Sequence, residues 1–187
     1  MFSRKQPQFE AFRCKTHLKC AIARIKTLKA KKTNEAKVMA KEVGKLLAAT
    51  PPKDEMARIK VEHVMRNKNE NHALEVVELF CDLLLARHML LESEPLLPPE
   101  LQEAVYSICW AATRTEISDL AQAKYQFMLK YPEVRGQFAP AQPGAPQPAQ
   151  TSYVNKKLME YLDVATPPRT KVTSRGCYYE QNVTFCT

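Results

Sequence analysis

Four groups of chemically capable side chains stand out in this chain of 187 residues. Cys14, His17 and Cys20 bring two sulfurs and an imidazole together, donor types suited to zinc. On a helix they fan over about 120° of arc and find no fourth ligand nearby. They read better as small apolar residues around a histidine, and no metal or cofactor is expected. Cys81 and His88, beside Asp82, offer a thiol and a base. A nucleophile needs its base within hydrogen-bonding reach, whereas about two helical turns put these about 10 Å apart along the axis. Tyr106, Trp110, Tyr125, Phe127 and Tyr131 could stack nucleobases only as an exposed platform; their helical spacing fits core packing. No phosphate-cradling loop, nucleophile elbow, H-E-x-x-H pair or dinucleotide fingerprint occurs, so no enzyme is expected.

The fourth group is a row of lysines. Lys15, Lys19, Lys26, Lys37 and Lys41 fall within about 80° of arc if residues 8–49 are one helix. Lys29 and Lys32 interrupt the apolar stripe of the same helix. The charge is segregated: residues 1–50 hold 13 Lys/Arg against 3 Asp/Glu, while the whole chain is net +8. A field of one sign attracts phosphate on lipid headgroups or nucleic acid, or an acidic protein surface. These seven lysines are the candidate membrane or partner surface.

The elements that must position these residues follow from periodicity and punctuation. Residues 8–49 contain no proline, and Cys14, Leu18, Ile22, Ile25, Ala36, Ala40, Val43 and Leu47 share one stripe. Forty residues make about 60 Å of helix, which needs a partner of similar length. Pro51-Pro52 ends it, with Thr50 as N-cap of a second helix over about 52–91. Met56, Ile59, Val64, Leu74, Val77, Phe80, Leu84 and Leu91 form that helix's apolar set. Two long helices joined by a short turn make an antiparallel hairpin. A third helix is predicted over 99–111. A fourth is predicted over 113–131, opened by a Thr113–Glu116 capping box and packed through Ile117, Leu120, Ala121, Tyr125, Met128 and Leu129. Residues 139–152 are a Pro/Ala/Gln linker. A short helical segment over 153–168 carries Val154, Leu158 and Leu162, and 169–187 is an irregular tail. Fold class is therefore all-α, with the helical domain over 8–138.

No apolar run approaches the roughly 20 residues that span a bilayer, and no signal peptide is expected, since Met1-Phe2-Ser3-Arg4 leads into polar residues. The cysteines at 14, 20, 81, 109, 177 and 186 form no C-x-x-C pair, which fits a reduced, cytoplasmic chain.

Several segments resemble one family. Residues 15–32 run from Lys-Thr-His-Leu-Lys-Cys to Leu-Lys-Ala-Lys-Lys. They look like the first-helix signature of the increased sodium tolerance proteins, which are ESCRT-III-like regulators of the AAA ATPase that dismantles ESCRT-III. Ala57 to Arg66, Glu78 to Leu91, Leu101 to Tyr131 and Tyr153 to Leu158 are similar to its later segments, in order and at matching spacing. The resemblance implies an ESCRT-III-like helical core and a non-enzymatic role in multivesicular-body sorting, peripheral on endosomes. It implies ESCRT-III subunits of the charged multivesicular body class and the AAA ATPase as partners, together with an acidic membrane surface and a homo- or hetero-polymer. The tail over 169–187 departs from the family's closing helix and holds no leucine-rich ATPase-docking motif. The rival expectation is a basic helical protein that binds nucleic acid through the same lysines.

Overall fold

The computed structural model describes residues 8–138 and 152–162, which form seven helices and no strand. They are α1 (Ala11–Leu47), α2 (Asp54–Ala86), α3 (His88–Ser93), α4 (Pro99–Ala111), α5 (Ser118–Lys130), α6 (Pro132–Phe138) and α7 (Lys156–Leu162). The all-α expectation holds. The tail over 169–187 and the linker up to residue 151 lie outside the described residues.

The chain divides into two compact units. Described residues 8–27, 73–138 and 152–162 make the first; residues 28–72 make the second. In the first unit the expected stripe of α1 turns inward, with Cys14, Leu18, Ala21 and Ile25 buried. They meet an apolar set on α2, where Val77, Cys81 and Leu84 lose all contact with water. Lys26 of α1 reaches Glu78 of α2 at 3.8 Å. α4 is the most deeply covered element, buried from Ala104 to Ala111 without interruption. A helix apolar on all sides needs neighbours all round, and α5, α6 and α7 are among them.

Three boundaries differ from the sequence expectation. The second helix stops at Ala86 instead of running to Leu91, and α3 restarts at His88. Arg87 leaves helical geometry there (φ −109°, ψ 26°). His88 Nδ1 lies 3.0 Å from the Leu85 carbonyl oxygen, which an unbroken helix would offer to Met89. A side chain inserted into the ladder is a recognised cause of a break. The second helix also starts at Asp54, so Thr50 is not its N-cap. The fourth expected helix starts at Ser118, and the Thr113–Glu116 capping box does not form. Thr113 and Thr115 hydroxyls donate instead to the carbonyls of Trp110 and Ala111, at 2.8 and 2.9 Å. Threonine competes for nearby backbone in this way, and here it stretches the turn after α4.

The inward face of α5 also differs from the expected one. Leu120, Ala123 and Phe127 point inward with two polar residues, Asp119 and Gln126. Ala121 and Tyr125 face solvent instead of the core. Each of the two meets a partner, Gln126 by a hydrogen bond and Asp119 by an ion pair. Gln126 Oε1 accepts from the Glu10 backbone N–H at 2.9 Å, and Asp119 Oδ2 meets Arg24 Nε at 2.6 Å. Of the five aromatics, Tyr106, Trp110, Phe127 and Tyr131 are core residues. α6 was not expected after Pro132, and its Val134 is buried. α7 is fastened to α4: the Asn155 N–H donates to Ser107 Oγ and its Nδ2 to Glu103 Oε1. Val154 and Leu158 are buried, and Tyr153 stacks on Tyr106 with centroids 5.2 Å apart.

The second unit is the hairpin segment made of the C-terminal part of α1 and the N-terminal part of α2. Lys32 pairs with Glu70, Asn71 donates to Thr33 at 2.9 Å, and Lys60 bonds Glu42. From residues 32 and 33 of α1 to residue 42 the partner moves back from 70 and 71 to 60, which is antiparallel pairing. The buried apolar residues are small or β-branched: Ala36, Ala57 and Val64. Met56 and Ile59, expected in the core set, are exposed instead.

Candidate functional site: the basic residues of α1

Each expected surface lysine has a distinct setting. In the first unit, Lys19 is exposed, while Lys26 is exposed but beside Glu78. Lys15 is half-buried, and its Nζ donates to His88 Nε2 at 3.2 Å. In the second unit, Lys37 and Lys41 are exposed, Lys29 is half-buried, and Lys32 is half-buried against Glu70. Lys32 interrupts the apolar stripe because an acidic residue of α2 faces it; its acidic partner is intramolecular. Lys19, Lys37 and Lys41 are thus the members of the row whose ammonium groups stand in solvent with no ion-pair partner among the described residues.

Neighbouring cations are engaged locally. Arg13 pairs with Glu10 at 2.8 Å, Lys31 with Glu35 at 3.9 Å, and Arg24 with Asp119 while also donating to Ser118 Oγ at 2.9 Å. His17 Nδ1 lies 3.6 Å from Asp119 Oδ1. Asp119, in the first turn of α5 where the dipole favours an anion, therefore gathers two α1 side chains. Sequence reading missed this junction because an inward-facing aspartate breaks the apolar pattern on which it relied.

The other candidate constellations disperse. Cys14 is buried, and burial pushes its thiol up to about 12. His17 turns to Asp119, and Cys20 is exposed. Among the described residues no group of three His, Cys, Asp or Glu is placed to hold a metal ion. Cys81 is also buried, its thiol raised to about 12 by desolvation and then by nearby Asp82 and Glu78. His88 serves Leu85 and Lys15 rather than that thiol. A protonated, enclosed thiol is a poor nucleophile. Among the described residues no helix is long and apolar enough to cross a membrane.

What these residues can do is offer mobile cations to an anionic surface. Comparison with known proteins gives that surface a context. A family model described as Ist1, regulator of Vps4 activity in the MVB pathway, matches residues 15–175. An IST1-like protein of Dictyostelium discoideum is 30% identical over 164 residues, covering 86% of this chain and 41% of the relative. The chain thus spans less than half the length of that relative. The S. cerevisiae Ist1 N-terminal domain, solved in complex with a Did2 MIM motif, aligns with a TM-score of 0.72. It is 23% identical, and the alignment covers 88% of this chain and 86% of that one.

Proposed function

The chain belongs to the Ist1 family of regulators of Vps4 activity in the MVB pathway, and from that premise we propose that it is a non-enzymatic regulator or co-assembling subunit of ESCRT-III. In this reading it binds ESCRT-III subunits of the charged multivesicular body class and modulates the disassembly ATPase. It works in the cytoplasm, peripherally on endosomes, and can join a homo- or hetero-polymer. Residues 8–138 are its ESCRT-III-like helical domain, followed by the 139–152 linker, the 153–168 segment and the 169–187 tail. The observation that carries the reading is the family match across residues 15–175. The structural likeness supports the fold on which it depends.

Within this role, α1 contributes phosphate contacts through Lys19 in the first unit and through Lys37 and Lys41 in the second. Their solvent exposure supports this. Lys15, Lys26, Lys29 and Lys32 complete the basic surface with less freedom. The test is sedimentation with acidic liposomes of the full chain and of a variant carrying Lys19→Glu, Lys37→Glu and Lys41→Glu. Circular dichroism controls for helicity. Reversing three exposed charges should abolish sedimentation. Unchanged sedimentation retires the membrane contact, and a preference for DNA over liposomes favours the nucleic-acid alternative. A pull-down against ESCRT-III subunits and the ATPase tests the regulatory role separately. Capture of neither removes it.

A further inference from the structure

We propose that His88 is a positioning residue for Lys15: neutral, it clamps the lysine, and protonated, it releases it, so that acidification strengthens the contact of this part of α1 with an anionic phosphate surface. This rests on the membrane-contact reading above and adds its regulation.

Two bonds fix the state of the imidazole. Nδ1 lies 3.0 Å from the Leu85 carbonyl oxygen and Nε2 lies 3.2 Å from Lys15 Nζ. A carbonyl oxygen can only accept, so Nδ1 carries the proton. An ammonium can only donate, so Nε2 offers its lone pair. Only the neutral Nδ1–H tautomer satisfies both. The clamp thus joins α1 to the break between α2 and α3, and Lys15 is half-buried as a result.

A solvent proton that adds to Nε2 removes the acceptor. It also sets an imidazolium against an ammonium at contact distance, where like charges repel. The surrounding charged groups do not compensate. From α1 the facing group is Lys15 itself, and α2 presents the Leu85 carbonyl. Beside the ring in sequence, Arg87 is engaged with Glu100 of α4. From α5, Lys130 donates to the carbonyls of Leu91 and Glu92, and the Glu92 side chain is exposed. Among the described residues no carboxylate lies within ion-pair distance of the ring. Lys15 must then swing into solvent, while His88 adds a cation near it. Each such charge close to an anionic leaflet contributes about a fivefold gain in affinity.

The experiment uses the full chain and vesicles of phosphatidylcholine with phosphatidylserine, at about pH 7.5 and about pH 5.5, the range over which histidine changes charge. Wild type is compared with His88→Gln, whose amide oxygen keeps an acceptor for Lys15 but takes no proton. The variant's thermal melt is checked against wild type. His17, His63 and His72 are common to both proteins, so the difference isolates His88. The expected gain on acidification is larger in wild type by about fivefold or more. Nitrogen NMR of the imidazole should give the Nδ1–H tautomer at neutral pH. The Lys15 ammonium resonance should lose its hydrogen-bonded signature as His88 protonates. An Nε2–H tautomer at neutral pH, or equal acid gains in the two proteins, overturns the proposal. Should wild type bind acidic vesicles at neither pH, the membrane reading fails, and the clamp is then decided by the two resonances alone.

Discussion

Cys14, Cys81 and Cys109 line the interior of the first unit, and burial raises all three thiols, the first two to about 12. A thiol attacks electrophiles as the thiolate, so these three should resist iodoacetamide at neutral pH while exposed Cys20 reacts. Peptide mapping after labelling in native buffer and in denaturant checks this; native labelling of Cys81 would place it at the surface. The sign of the pH effect follows. Unfolded thiols ionise around 9.0 whereas the folded ones stay protonated, so the fold loses stability as pH rises past that value. Leu84, also with no exposed surface, is a second residue-scale test. Leu84→Ala should cost about 2–5 kcal/mol in urea unfolding, and Leu84→Asp should prevent soluble folding, since an unpaired buried charge costs far more. A native melting temperature for either variant would remove Leu84 from the core. Cys14 and Leu84 were legible from periodicity, because burial of a leucine or cysteine on a helical stripe needs no knowledge of the partner. Asp119 and His88 were not. Their roles depend on Arg24, His17 and Lys15, which are remote in sequence.

At the scale of elements, α1 carries one glycine, the poorest helix former short of proline. Gly44 lies within the helix, and a Cβ added there meets nothing within 4 Å. Gly44→Ala should therefore stabilise the second unit by about 1 kcal/mol through helix propensity alone. The check is urea denaturation followed by circular dichroism, where a lower midpoint would show that the glycine is needed for packing. The ends of the elements proved harder to place than their middles. The two long helices and α4 follow from apolar spacing and proline punctuation, and α4 begins at Pro99 as expected. The α2–α3 break and the late start of α5 depend on side chains taking backbone carbonyls, Leu85 by His88 and Trp110 and Ala111 by two threonines. Histidine and threonine can do this or not, and packing decides which.

At the scale of the whole molecule, charge segregation governs the expected partner contact. Lys19, Lys37 and Lys41 are exposed, so their attraction to an anionic surface is screened over about 8 Å at physiological salt and about 3 Å at 1 M. Liposome sedimentation should fall steeply as salt rises across that range, and salt-insensitive sedimentation would point to apolar insertion instead. By itself, the sequence determined that the chain is all-α, that two long helices must pair and that the positive charge concentrates in the first of them. These depend on local periodicity and composition, which are properties of the chain before it folds. Tertiary structure alone decided which lysines of the row are free. Lys15, Lys26 and Lys32 meet His88, Glu78 and Glu70 across the helix pairing, whereas Lys19, Lys37 and Lys41 project into solvent. A helical wheel gives a lysine its angle on its own helix. Whether an acceptor waits at that angle depends on the register of the neighbouring helix, and side-chain contacts fix that register only when the chain folds.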